Sequence, residues 1–420
     1  MKKIIKNISE IIQVENTASK FISAKEMKNI NTIKDAYLEI DEGKIVSFGS
    51  MNDWKGITNW NETEIIDAEG GMIFPTYCDS HTHLVFSHSR EKEFIDKING
   101  LSYQEIAKKG GGILNSVEKL RNTSEEELYK ISLKRLNNLI QLGTGAIEIK
   151  SGYGLDLESE LKMLRVIKRL KKESKATIKS TLLSAHAVPK EFQKDKQGYI
   201  KLIVEKILPQ AVEEKLIDFI DVFCEKGYFT VKEMKYILKT AEKYNIKAKT
   251  HVNQFNSIGG VKACVELNAI SVDHLETMEK EDYNALLDTS CMPTILPGCS
   301  FFLNMNYGPA RKMIDKGIPI ALASDFNPGS SPSGNMNFIM SLGCIKLKMS
   351  PEEVINSVTI NSAYAMGVEK MLGSICIGKK ANFFITKPIS SYGYIAYNFG
   401  ENVIDKVFLE GEYIKNPDHK

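Results

Sequence analysis

The sequence predicts an α/β fold: a (β/α)₈ TIM-like barrel with a small β-sandwich built from the N- and C-terminal segments. Three observations carry this. Eight short apolar runs alternate with stretches of helical period over roughly 250 residues, as such a barrel requires. Strand-like chemistry occupies both chain ends. Five of the seven histidines fall at predicted strand C-termini, the face on which barrel enzymes build their sites.

Residues 1–70 read as strands and turns. AYLEIDEGKIVSFGS alternates apolar and polar positions around Asp41-Glu42-Gly43, a hairpin signal. The apolar runs then follow: Met72–Cys78, Ala146–Ile149, Ile178–Leu183, Ile217–Phe223, Ile246–Val252, Ile270–Leu275, Met292–Leu296 and Ile318–Ala323. Two intervening helices are well marked. Ser124-x-x-Glu127 and Thr230-x-x-Glu233 are capping-box patterns ahead of apolar faces, and Gly143 is a stop signal. After about residue 370, GSICIGKKANFFITK and VIDKVFLEGEYI return to strand chemistry. Each end is too small to bury a core alone, so the two are expected to pair. The expected organisation is residues 1–70 with 368–420 as a composite β-sandwich, and 71–367 as the barrel. A doubly wound sheet would carry a Gly-rich phosphate loop after its first strand. Gly110-Gly111-Gly112 follows no strand and reads as either a substrate-side loop or a plain linker.

Composition sets the outer limits. The chain has 420 residues, 43% hydrophobic and 26% charged, which excludes a wholly disordered or collagen-like chain. Fifty-five basic residues face 53 acidic ones, for a net charge of +2. That balance disfavours binding of nucleic acid by phosphate neutralisation. The seven cysteines are odd in number, widely spaced and contain no C-x-x-C pair. They fit reduced thiols in the cytoplasm better than a disulfide framework. Asn7, Ser9, Glu10 and Gln13 interrupt the apolar stretch a signal peptide needs, and no run of about 18 apolar residues could span a membrane. Charge runs such as Lys168–Lys172 read as solvated helix faces.

The histidines carry the chemistry. His81 and His83 form an H-x-H after the first strand, and residues i and i+2 of an extended segment point to one side. His186 follows the third strand, His251 ends the fifth and His274 the sixth. Asp325 follows the eighth. His88 and His419 fall outside the pattern. One histidine near a strand end is ordinary packing chemistry; five on one face with a carboxylate indicate a metal site. Three neutral imidazoles and one carboxylate suit Zn²⁺ or Fe²⁺ and leave a position for water. Such an ion lowers the pKa of bound water towards about 7. A nearby carboxylate can accept the water's proton, and a non-ligating His274 or His186 can polarise a carbonyl.

H-x-H on strand one, histidines on strands five and six, and Asp on strand eight resemble the amidohydrolase superfamily. The segments HTHLVF…R, SYQEIA…GGGI, EIKSGYGLD, LLSAHAVP, DVFCEKG, HVNQF, LPGCSFFL and SDFNPGSSP resemble, more narrowly, the imidazolonepropionase family of histidine degradation. H-x-H alone is weakly specific; SGYGLD, HVNQF and DFNPGSSP together are highly specific. The resemblance implies hydrolysis of 4-imidazolone-5-propanoate to N-formimidoyl-L-glutamate. It implies one divalent metal per subunit, Zn²⁺ or Fe²⁺, held by His81, His83, His251 and Asp325. It implies substrate contacts at Arg90, Tyr153, His186, Gln254, Asn327, Gly329 and Ser330, catalytic roles for Asp325, His274 and His186, and a homodimer.

Residue chemistry fits these roles. Arg90 could pair with a propionate through a bidentate fork, although Glu91 or Glu93 could also engage it. Tyr153 offers a hydroxyl. Gly329 permits close backbone approach, while Asn327 and Ser330 offer polar side chains in a segment that also reads as a turn. Three departures stand out. Gln254 occupies a position where some relatives carry Glu; it cannot transfer a proton, so its expected role is binding. Ser87-His88-Ser89 replaces a more glycine-rich stretch, and Ser324 stands where Thr is common. Binuclear relatives use a carboxylated Lys at the end of strand four. Here that strand ends Val222-Phe223-Cys224-Glu225, with Lys226 beyond and Lys150 on strand two, so one metal is expected and Cys224 is read as core packing. The alternatives are a purine or pyrimidine deaminase on the same barrel, or a non-catalytic scaffold. Arg90 and DFNPGSS favour the propionate substrate over the first, and a full ligand set argues against the second.

Overall fold

The computed structural model describes residues 2–57, 59–101, 105 and 111–415. Eight parallel strands form the central sheet: β1 (Tyr77–Thr82), β2 (Thr144–Lys150), β3 (Thr177–Ala185), β4 (Phe219–Cys224), β5 (Lys247–Val252), β6 (Ser271–His274), β7 (Met292–Ile295) and β8 (Ala321–Leu322). Each pairs with its sequence neighbour. Every position of β2 and β4 is buried, as expected of parallel strands covered on both faces. Beyond the short β8 the chain closes the barrel against β1. The Asp325 amide donates to the His81 carbonyl (3.1 Å), and the His83 amide donates to the Phe326 carbonyl (2.8 Å).

The helix signals hold locally. Ser124 caps the helix Glu125–Gln141 by accepting from the Glu127 amide at 3.2 Å. Thr230 and Glu233 make a reciprocal capping box on Val231–Glu242. Both helices turn their apolar residues, among them Leu136, Leu139, Met234 and Ile237, into the barrel's outer core.

The chain ends meet in an eight-stranded mixed sheet. Its order runs Glu412–Tyr413, Ile404–Leu409, Phe383–Thr386, Met72–Pro75, Lys2–Ile12, Thr32–Asp41, Lys44–Ser50, with Thr63–Asp67 also paired to Lys2–Ile12. A second pair, Val14–Glu15 with Ile375–Cys376, again joins the two ends. The expected hairpin is present. Asp41 pairs with Lys44 across Glu42-Gly43, both at positive φ (46° and 74°), as a tight two-residue turn demands. One expected run divides: Met72–Pro75 pairs within this terminal sheet, and only from Tyr77 does the chain enter the barrel. The sheet packs on the barrel through Phe384, whose ring stacks on Phe74 (5.2 Å between centroids) and tilts against Tyr77 (5.1 Å).

Among the described residues, no helix is long and apolar enough to cross a membrane. All seven cysteines are free, and Cys224 is buried. The Gly110 end of the glycine cluster, part of SYQEIA and His419 lie outside the described residues.

Candidate active site

The C-terminal ends of the strands bring the predicted residues together. His81 lies within β1 and His83 one residue past it; His251 is next to last in β5 and His274 last in β6. His186 directly follows β3, and Asp325 lies three residues beyond β8. The histidines and Asp325 are all at least nine-tenths buried. His88, by contrast, is exposed. The backbone is bent sharply here: His274 has φ 88° and Asp325 φ 54°. Such conformations cost of order 1–3 kcal/mol each and concentrate at functional sites.

Ring nitrogens of His81, His83 and His251 lie within 4.8 Å of one another, and His81, His274 and Asp325 form a second such group. Asp325 Oδ1 is 3.6 Å from His81 Nε2 and 3.5 Å from His83 Nε2. Two carboxylates set the tautomers. His81 Nδ1 donates to Asp273 Oδ2 at 2.7 Å, and His251 Nδ1 to Asp221 Oδ2 at 2.9 Å. Burial first, then the Lys150 charge and neighbouring imidazoles, pushes His81 well below the usual histidine range, so its ring is neutral. With its Nδ1 donating to Asp273, the neutral His81 ring presents a lone pair at Nε2, 3.1 Å from the His251 Nε2. Ring nitrogens held this close in a buried cluster are positioned to share one cation. The donor set of three imidazoles and a carboxylate thus fits a divalent metal, with the carboxylate–histidine support that metal sites use.

The floor beneath this cluster is ionic. Lys150, fully buried, pairs with Glu148 (2.8 Å) and Asp221 (2.9 Å) and lies 3.8 Å from Asp273. Burial lowers the Lys150 pKa, but Asp221, Glu148 and Asp273 outweigh it and hold the group charged. A charged ammonium so engaged is not a carboxylated bridge.

Above the floor lies a pocket. His83, His186, His251, His274 and Asp325 line it, as do Arg90, Tyr153, Gln254, Asn327 and Ser330. The Arg90 guanidinium is buried; its Nε and Nη1 have no hydrogen-bond partner among the described residues, and Glu93 stands 3.7 Å from Nη1. Gly329 is where the guanidinium passes: a Cβ built there would fall inside it. The close approach at Gly329 is thus made by Arg90.

Tyr153 is held by the loop Ser151-Gly152-Tyr153-Gly154-Leu155. Buried Glu160 gathers that loop, accepting from the amides of Gly152 (3.1 Å), Gly154 (2.8 Å) and Leu155 (3.0 Å). His186 Nδ1 donates to the Gly152 carbonyl at 3.0 Å, and burial pushes the imidazole down to about 3. Its Nε2 is consequently an acceptor. Gln254 Nε2 donates to Cys299 Sγ at 3.5 Å. Asn327 is spent on its own turn: Nδ2 donates to the Asp325 carbonyl (2.6 Å) and Ser330 Oγ (2.7 Å), and Oδ1 accepts from the Gly329 and Ser330 amides (2.8 Å each). Ser330 Oγ donates to Asp325 Oδ2 at 3.3 Å. The turn chemistry legible in N-P-G-S is thus what orients the Asp325 loop.

Asp221, Asp273, Lys150, Glu160 and Glu276 were not legible as site residues. Glu276 Oε1 accepts from His274 Nδ1 at 3.3 Å. Asp221 and Asp273 left a faint signal, an acidic residue inside an otherwise apolar strand run.

The fold and the site define a class, the amidohydrolases. The amidohydrolase family model matches residues 72–414, and amidohydrolases are metal-dependent. Imidazolonepropionase of Flavobacterium johnsoniae is 54% identical over 99% of this chain and 100% of its own. The Christiangramia forsetii protein of that name is 53% identical over the same shares, and the Clostridium tetani one 42% over 99% of each chain. The chain belongs to the amidohydrolase family and, within it, to the imidazolonepropionases. Its fold also matches E. coli guanine deaminase (TM-score 0.74, 14% identity, 99% of each chain). It matches a Klebsiella pneumoniae 5-methylcytosine deaminase as well (TM-score 0.74, 16% identity, 99% of this chain and 98% of that one).

Proposed function

We propose that this protein hydrolyses the ring C–N bond of 4-imidazolone-5-propanoate, giving N-formimidoyl-L-glutamate in histidine degradation, with one Zn²⁺ or Fe²⁺ per chain. The observation that carries the reading is Arg90. Its buried guanidinium has the Glu93 carboxylate 3.7 Å away, too far for a hydrogen bond, so Nε and Nη1 keep donors for a second anion, and it shares a pocket with the imidazole cluster. A small ring bearing a propionate supplies that anion, and a neutral purine does not.

His81, His83, His251 and Asp325 would hold the ion, which would acidify a water. Asp325 accepts the water's proton, with Ser330 Oγ steadying Oδ2. Arg90 holds the propionate, and the Tyr153 hydroxyl binds the substrate. His186 accepts a substrate N–H at Nε2, which leaves carbonyl polarisation to His274, braced by Glu276. Gln254 contributes binding alone. Hydroxide adds to the carbonyl carbon, the C–N bond breaks, and the departing nitrogen takes the proton from Asp325 or His274.

The proposed assembly is a homodimer and the proposed location the cytoplasm, where seven free cysteines are at home. The test is a paired assay. Loss of the imidazolone absorbance without ammonia release from guanine or cytosine supports the reading; the converse supports a deaminase.

A further inference from the structure

We propose that Lys150 is a positioning residue for the metal site. Its ammonium, set between Asp221 and Asp273, holds the two carboxylates that accept from His251 Nδ1 and His81 Nδ1. The inference rests on the metal-binding reading of those histidines and goes beyond it to the group that organises them.

The geometry is a chain of contacts. Lys150 Nζ lies 2.9 Å from Asp221 Oδ2, the same oxygen that accepts from His251 Nδ1 at 2.9 Å. Asp273 Oδ2, 3.8 Å from Nζ, accepts from His81 Nδ1 at 2.7 Å. The outer oxygens are pinned separately: Asp221 Oδ1 accepts from the His251 amide (3.0 Å) and Asp273 Oδ1 from Ser271 Oγ (2.7 Å). One cation therefore spans both supports, from a strand that supplies no ligand. Glu148 Oε1 fixes Nζ from below at 2.8 Å and accepts from Thr181 as well. Lys150 does not line the pocket.

Stability alone is a poor reason for this arrangement. Buried ion clusters are often matched or exceeded by well-packed apolar residues. Retaining one beneath two metal ligands makes sense if it fixes ring orientation and tautomer before the ion arrives. Loss of such outer supports typically weakens metal binding by about 10–100-fold.

The experiment measures metal affinity by chelator competition in folded protein. Lys150→Met should bind Zn²⁺ about 10–100-fold more weakly than wild type, with substrate KM unchanged at saturating metal. Lys150→Met removes a charge that three carboxylates need, so Glu148→Gln/Lys150→Met, which preserves charge balance, serves as the second variant. Independently, ¹⁵N imidazole spectra of chelator-stripped wild type should show His81 and His251 as Nδ1–H tautomers. Unchanged Zn²⁺ affinity in either folded variant, or mixed tautomers in wild type, would overturn the proposal. Wild type that binds no metal would overturn the metal reading together with it; tight wild-type binding matched by the variant overturns this inference alone.

Discussion

The Arg90 guanidinium occupies the space that a side chain at Gly329 would need. The residue after Pro328 is therefore glycine because a cation lies across it. Gly329→Ala should push the guanidinium aside and weaken its grip on a carboxylate. A charge-assisted hydrogen bond contributes about 1.5–3 kcal/mol, so KM for the imidazolone should rise roughly 10–100-fold with kcat changed far less. Steady-state kinetics on the variant check this. A kcat loss at unchanged KM would mean that Arg90 does not hold the propionate.

Asp325 sits at φ 54°, a conformation Asn also tolerates. Asp325→Asn should therefore keep the fold while lowering turnover by orders of magnitude, since the amide cannot accept the water's proton. Circular dichroism with a turnover assay checks both halves. Near-normal activity would remove Asp325 from the mechanism.

The barrel was legible because eight apolar runs and their helix caps repeat one local pattern, and the histidine cluster because strand ends are fixed by that pattern. Met72–Pro75 departs from the expected barrel strand for a physical reason. An apolar run does not reveal which sheet it joins, and no turn separates it from Tyr77. The supporting roles of Asp221, Asp273 and Lys150 are not legible because they arise between strands far apart in sequence. Buried charges in β2, β4 and β6 make sense only once the barrel places them side by side. The Arg90–Gly329 fit was hidden for the same reason: a loop after β1 meets a loop after β8.

Asp218 gives a pH prediction away from the site. Burial would raise its carboxyl, but the Ser180 amide (3.0 Å), Lys179 (3.0 Å) and Lys171 (3.1 Å) outweigh that and hold it below the usual range. A depressed carboxyl stabilises the fold above the ordinary unfolded value of about 3.9 and loses that contribution as pH falls through the folded value. Wild type should thus melt higher than Asp218→Asn at pH 7, with the gap closing towards pH 2. Melting curves across that range test it; a gap independent of pH would contradict it.

Phe384 joins the terminal sheet to the barrel and is fully buried. Phe384→Ala should cost about 3–5 kcal/mol. Denaturant unfolding should show the shift, while metal content of the folded fraction stays unchanged. A loss of metal without a loss of stability would mean the sheet acts on the site.

The most direct measurement is turnover of 4-imidazolone-5-propanoate by the metal-loaded protein in ¹⁸O-water. Hydrolysis at the ring carbonyl predicts N-formimidoyl-L-glutamate carrying one ¹⁸O atom in the carboxylate formed from that carbonyl, with no ammonia released. An intact ring, release of ammonia, or no turnover by fully loaded protein would contradict the account.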